Sequence, residues 1–216
     1  MIKESLKKRI LTSVVLFILI FFIYSFEEIL VFCLIVLGVL AILEFLNITK
    51  KVFKNKFSLL FLNSFFLIYI SIFCFTFFLL SNILQLKIIL FSLLISCAAS
   101  DVGGFIFGKI LKGPKLTKIS PNKTYSGALG SIILTSLVLL SLNFYLTEKF
   151  NFILLIVAII TSIACQLGDL FFSYLKRKAK IKDTGNFFPG HGGVLDRLDG
   201  IFFGIPAGLI SLTLFY

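Results

Sequence analysis

The sequence predicts an all-α polytopic membrane protein of about seven transmembrane helices, and three observations carry that prediction. The 216-residue chain is 59% hydrophobic and only 14% charged, a balance outside the range of water-soluble domains. Its apolar runs are about as long as a bilayer is thick. Runs such as 10–26 and 150–165 also lack the polar stripe at helical spacing that a soluble bundle would show.

The expected spans are 10–26, 28–46, 57–80, 86–107, 126–146, 150–172 and 196–216. Together they form a single membrane domain over 1–216. It has a three-helix N-terminal portion over 1–85 and catalytic helices with basic loops over 86–216. Lys3, Lys7, Lys8 and Arg9 precede the first run. That run is long, lacks a small-residue cleavage site and is followed at once by another, so it reads as a retained helix rather than a secretory leader. The second span carries Glu44 near its inner end. Intramembrane acids are functional candidates, but Lys50 and Lys51 nearby also allow a plain interfacial place. The third span is almost all Phe, Leu and Ile, and the 28 phenylalanines read as lipid-facing bulk. In the fourth, Ser100, Gly104 and Gly108 recur every four residues, a spacing that lets a second helix approach closely. Asp101 sits among them, at a cost of about 2.5–3.5 kcal/mol if uncompensated, which asks for a cation. Cys33, Cys74, Cys97 and Cys165 all fall in apolar runs and read as small buried hydrophobes.

Charge tests the topology independently. Of the 21 Lys and Arg, 19 fall in the connections 1–9, 47–56, 108–125 and 173–195 or, as Arg197, at their rim. Lys87 and Lys149 lie towards the other face, as do Glu27, Glu28 and Glu148. Positive loops stay cytoplasmic. The expectation is therefore a multi-pass protein of the cell membrane with a cytoplasmic N-terminus, an outer C-terminus and its active site on the cytosolic side. The net charge of +11 then reflects orientation and attraction to anionic headgroups, and no nucleic-acid partner is expected.

The chemistry gathers on that face. The loop 109–127 holds five lysines and no acid. Ser120, Lys123 and Thr124 beside Pro121 make it either an ordinary positive loop or a phosphate-binding turn. The stretch 166–200 holds four of the ten acidic residues and the only histidine. Asp169, Ser173 and Lys176 are spaced i, i+4, i+7 and share a helix face, as do Asp196 and Asp199 at i, i+3. With Asp101, the topology brings four carboxylates to one depth. Carboxylates so gathered resist ionisation without a cation, and oxygen ligands with no Cys or His cluster suit Mg²⁺ shared with substrate phosphates. Gly190, Gly192 and Gly193 can turn backbone N–H groups towards phosphate oxygens, and His191 can hydrogen-bond one.

Residues 173–199 run Ser-Tyr-Leu-Lys-Arg-Lys-Ala-Lys-Ile-Lys-Asp-Thr-Gly-Asn-Phe-Phe-Pro-Gly-His-Gly-Gly-Val-Leu-Asp-Arg-Leu-Asp. This stretch resembles the signature of the phosphatidate cytidylyltransferases, the CDP-diacylglycerol synthases. Asp-Val-Gly-Gly-Phe-Ile-Phe-Gly at 101–108 and Ile-Ser-Pro-Asn-Lys-Thr at 119–124 agree with it. The resemblance covers roughly 96–200 well and the earlier spans in outline. Ser126 stands where the family usually has an acid, and the chain is shorter than most members.

The resemblance implies transfer of the cytidylyl group of CTP to phosphatidate, giving CDP-diacylglycerol and pyrophosphate. It implies Asp169 and Asp196 as metal ligands with Asp199 and Asp101 nearby, and substrate contacts at Ser173, Lys176 and Arg197. On that reading Lys176, Arg177, Lys182 and Arg197 would stabilise the pyrophosphate. The cofactor is Mg²⁺, as one or two ions, with room for a monovalent cation. The partners are CTP and phosphatidate, and a homodimer stays open. Two rivals stand beside this reading. A CTP-dependent polyprenol or phytol kinase would release CDP. An ion transporter would line a path across the membrane with its acids, but no inverted repeat is evident.

Overall fold

The computed structural model describes residues 18–117, 119–185, 187 and 192–215. Among them are six long helices: α1 (Glu27–Val52), α2 (Lys56–Ser81), α3 (Leu84–Leu111), α4 (Tyr125–Thr147), α5 (Ile153–Lys178) and α6 (Leu195–Phe215). All six are long and apolar enough to cross a membrane, and the protein is an all-helical multi-pass membrane protein. The first half of the first expected span, 10–17, lies outside the described residues, and 18–25 are helical.

The other six spans match, with one systematic difference: most helices outrun their apolar stretch. The expected sixth span stops at 172, whereas α5 continues to Lys178. A helix of 26 residues is about 39 Å long, against about 30 Å of hydrocarbon, so its last turns stand in the interface. Ser173 and Lys176 ride on that extension. Lipid-facing bulk is visible in large exposed side chains, Phe32, Ile35, Val39 and Leu43 on α1 and Phe57, Phe61, Phe65 and Ile68 on α2.

The chain divides into two compact units. The first takes the residues up to Asn82 together with Leu175–Leu198. Here α1 and α2 pack through stacked Phe45 and Phe66, with ring centroids 3.8 Å apart, and through Thr49 Oγ1 donating to Asn63 Oδ1 at 2.8 Å. Glu27 and Glu28 at the start of α1 and Lys50 and Lys51 at its end complement the helix dipole. Asn55 caps α2 by accepting from Phe57 N–H. In the same unit α5 ends in a Schellman turn. Ile181 N–H donates to Lys176 O, Lys180 N–H donates to Arg177 O, and Lys180 takes the left-handed conformation, φ 57°.

The second unit is Ile83–Tyr174 with Asp199–Tyr216. Its α3 and α4 meet along the small-residue stripe expected from the sequence. A Cβ on Gly104 would lie 2.8 Å from Ser131 Oγ, and one on Gly127 would lie 2.8 Å from Gly104 O. Ser131 Oγ donates to Ser100 O at 2.7 Å across that seam. The α5 segment joins through Ser162 Oγ, 3.1 Å from Ser100 Oγ, and through Gln166 Nε2 donating to Ala128 O. The α6 segment packs on α5 where Gly204 faces the Sγ atoms of Cys97 and Cys165, both buried thiols.

Candidate active site

In the first unit, residues 184–185 and 192–195 gather around two carboxylates. Asp196, one residue into α6, accepts from Lys176 Nζ at 2.6 Å through Oδ1. Its Oδ2 accepts Thr184 N–H at 2.7 Å and Gly193 N–H at 3.0 Å, and Thr184 Oγ1 lies 3.0 Å away. The Lys176 ammonium and the two backbone N–H groups are all donors, the arrangement an ionised carboxylate requires. Gly192 adopts φ +84°, and a Cβ there would stand 2.7 Å from Asp196 Oδ2. The loop glycines thus let the backbone fold onto a carboxylate, and Gly193 spends its N–H on Asp196.

The second carboxylate is Glu44, from the C-terminal half of α1. It is buried and accepts three hydrogen bonds from residues 140 to 151 positions later. Thr184 Oγ1 donates to Oε2 at 2.6 Å, Leu195 N–H to Oε2 at 2.9 Å and Val194 N–H to Oε1 at 3.0 Å. The first two N–H groups of the α6 terminus would otherwise lack partners. Sequence reasoning left Glu44 between interface and function and did not single out Thr184. The available signal was one acid in an apolar span.

A second lysine–carboxylate pair lies in the other unit, where Lys123 Nζ meets Asp169 Oδ2 at 2.8 Å. Lys123 is presented by a tight turn: its N–H donates to Ser120 O, and its carbonyl accepts Leu116 N–H at 2.7 Å. Thr124 is the N-cap of α4, accepting Gly127 N–H at 3.1 Å. Ser126 Oγ lies 3.0 Å from Thr124 Oγ1 and reaches Lys112 O at 3.3 Å, so this position buttresses the loop. A cleft of about 430 Å³ opens beside the turn, lined by Lys115, Leu116, Thr117 and Pro121. Asp169 also borders α6: a Cβ on Gly200 would stand 3.5 Å from its Oδ1. Asp199 is buried, with Gly200 N–H on its Oδ1 at 3.0 Å, and Asp101 is exposed on α3. A larger apolar cleft of about 940 Å³, lined by Ile133, Leu137, Phe144, Tyr145 and Leu155 among others, lies further along α4 and holds none of these residues.

The candidate residues thus fall into two groups. Lys176 and Asp196 form one, with Gly192 and Gly193 folded against them. Lys123 and Asp169 form the other, with Ser120 and Thr124 shaping the turn. Ser173 is half-buried on α5, and Arg177, Lys182 and Arg197 are exposed. Gly190 and His191 lie outside the described residues. Among the described residues, no three His, Cys, Asp or Glu side chains come together as a metal-holding group. The donor chemistry nonetheless fits magnesium, because the acids offer oxygen ligands alone and Mg²⁺ is commonly held by one or two carboxylates plus substrate phosphates.

The fold and site together define a multi-pass helical membrane protein that sets lysine–carboxylate pairs beside basic loops. The chain belongs to the cytidylyltransferase family, whose sequence model matches residues 50–215. It is 45% identical over 130 residues to a phosphatidate cytidylyltransferase of Helicobacter pylori, covering 57% of this chain and 46% of that one. To proteins of the same name it is 44% identical over 109 residues in Staphylococcus haemolyticus (50% of this chain, 42% of that one) and 37% over 125 residues in Mycobacterium leprae (57% and 39%). The matches thus span less than half the length of these relatives.

Proposed function

We propose that this protein transfers the cytidylyl group of CTP to phosphatidate, forming CDP-diacylglycerol and pyrophosphate. The observation that carries the reading is the family match over residues 50–215, joined by relatives named phosphatidate cytidylyltransferase. The lipid's own phosphate is the nucleophile. A phosphate monoester is largely dianionic near neutral pH, its second pKa being about 6, so no strong general base is needed. One of its oxygens attacks the α-phosphorus of CTP. The bond from that phosphorus to the bridging oxygen of the β-phosphate breaks, and pyrophosphate leaves with the electron pair.

The obstacle is the meeting of two anions. Lys176, Arg177, Lys182 and Arg197 stabilise the charge that builds on the departing pyrophosphate, while Lys123, Ser120 and Thr124 offer donors from the other loop. Ser173, Gly190, Gly192, Gly193 and His191 are further substrate contacts on this reading. Asp169 and Asp196, with Asp199 and Asp101, are the residues that would hold magnesium. The ion when bound supplies charge neutralisation and alignment of the phosphates. CTP comes from the cytosolic side, which the basic loops face, and the lipid comes laterally from the cell membrane.

The test is to incubate purified protein with CTP, phosphatidate and Mg²⁺ and measure pyrophosphate, with phosphatidate omitted as control. Release that depends on phosphatidate is expected. Release of CDP instead would make the protein a lipid kinase, and ion flux in proteoliposomes without CTP turnover would make it a transporter.

A further inference from the structure

Glu44 lies outside the residues that the signature implicates, yet its carboxylate ties Thr184 to the start of α6. Three donors converge on it, from Thr184, Val194 and Leu195. Two of these are the N–H groups that open α6. The residue preceding that helix is Val194, whose side chain has no acceptor, so the cap is supplied by α1. A second, independent observation concerns shape. A Cβ on Gly185 would lie 2.6 Å from Glu44 Oε1, and one on Gly193 would run into Glu44 and Thr184 Oγ1. The loop approaches this carboxylate as closely as backbone can.

The contact does more than cap. Thr184 joins the two carboxylates, its hydroxyl 2.6 Å from Glu44 Oε2 and 3.0 Å from Asp196 Oδ2. Its N–H donates to Asp196, as does that of Gly193. Fixing Thr184 and the α6 terminus therefore fixes Asp196, and with it the 2.6 Å contact to Lys176. We propose that Glu44 is a positioning residue for the reaction: from α1 it holds Thr184, Val194 and Leu195, and so sets Asp196 and Lys176 in place. The catalytic part of this inference rests on the function proposed above.

Glu44→Gln is the informative change. Whichever way the amide turns, its NH₂ faces a backbone N–H, of Val194 or of Leu195, so the clamp is broken at nearly constant volume. Charge-assisted hydrogen bonds of this kind justify an expected fall in kcat of about ten-fold or more, with KM for CTP changed by less than about three-fold. Residue-resolved amide hydrogen exchange on the full chain should show faster exchange at Val194 and Leu195. It should also be faster at Thr184 and Gly193, whose N–H groups donate to Asp196 and not to Glu44. Thr184→Val should lower kcat while Val194 and Leu195 stay protected, and Thr184→Ser should restore turnover. Should Glu44→Gln fail to fold, this Thr184 pair decides the matter.

Unchanged kcat in Glu44→Gln, unchanged protection at Thr184 and Gly193, or equal activity of Thr184→Val and Thr184→Ser would each overturn the positioning role. A wild-type protein that releases no pyrophosphate would sink the proposed function instead. The clamp would then be judged by exchange at Thr184 and Gly193 alone.

Discussion

Lys176 and Lys123 each hold a carboxylate, but water reaches the two pairs differently. The side chains of Lys176 and Asp196 are 12% and 7% exposed, those of Lys123 and Asp169 30% and 22%. Removing one partner of a buried pair strands the other charge, whereas an open pair is partly solvated. Lys176→Met is therefore expected to cost about 3 kcal/mol, the low end for buried pairs because Thr184 and Gly193 still donate to Asp196. Lys123→Met should cost at most about 1 kcal/mol. Thermal or denaturant unfolding of the purified variants separates the two, and equal losses would contradict this ranking. Asp196→Asn and Asp169→Asn should each abolish pyrophosphate release in folded protein; near-normal turnover in Asp196→Asn would remove it from the proposed metal ligands. At this scale the sequence revealed which residues matter better than what they touch. Spacing put Asp169, Ser173 and Lys176 on one helix face, but Asp169 takes its lysine from 46 residues earlier and Lys176 its carboxylate from 20 residues later. Periodicity describes one helix, and those partners come from a loop and from the start of another helix.

Between elements, fit is set by atoms that are missing. The seam of α3 and α4 was legible because small residues at four-residue spacing have few uses other than close packing. Gly130 shows how little room remains, since a Cβ there would run into the Phe107 ring. Gly130→Ala should destabilise by about 1–3 kcal/mol through overpacking, read as a lowered unfolding midpoint; an unchanged midpoint would mean that the seam can open at little cost. The end of α5 predicts the opposite sign. Lys180 sits exposed at φ 57°, a conformation glycine adopts freely, so Lys180→Gly should stabilise by about 0.5–1 kcal/mol. The extension of α5 past residue 172 was not legible. Hydropathy marks where the chain leaves hydrocarbon, while the helix ends where its backbone finds the Schellman turn at 179–181.

For the molecule as a whole, hydropathy located six of the described helices, and charge supplied an orientation that can be tested. Single cysteines placed at Lys54 and Lys109 should react with a membrane-impermeant thiol reagent from the cytoplasmic side, and one at Glu148 from the other side. A reversed pattern would invert the topology. The grouping of Leu175–Leu198 with α1 and α2 was hidden from sequence reading, because the bonds that make it span 140 to 151 residues. A lone acid in an apolar span announces that a partner exists, without saying where along the chain it lies.

The reach of Glu44 also sets an order of events at the ribosome. Its three donors belong to residues 184, 194 and 195, so none of them exists when α1 is made. At roughly 5–20 residues per second, the acid waits between about 7 and 30 s for them. During that interval α1 must settle in the bilayer with its carboxylate served by water at the interface. Helix α1 thus reaches its final bonding only after α5 is complete and α6 has begun, which makes arrival of α6 the step that locks α1.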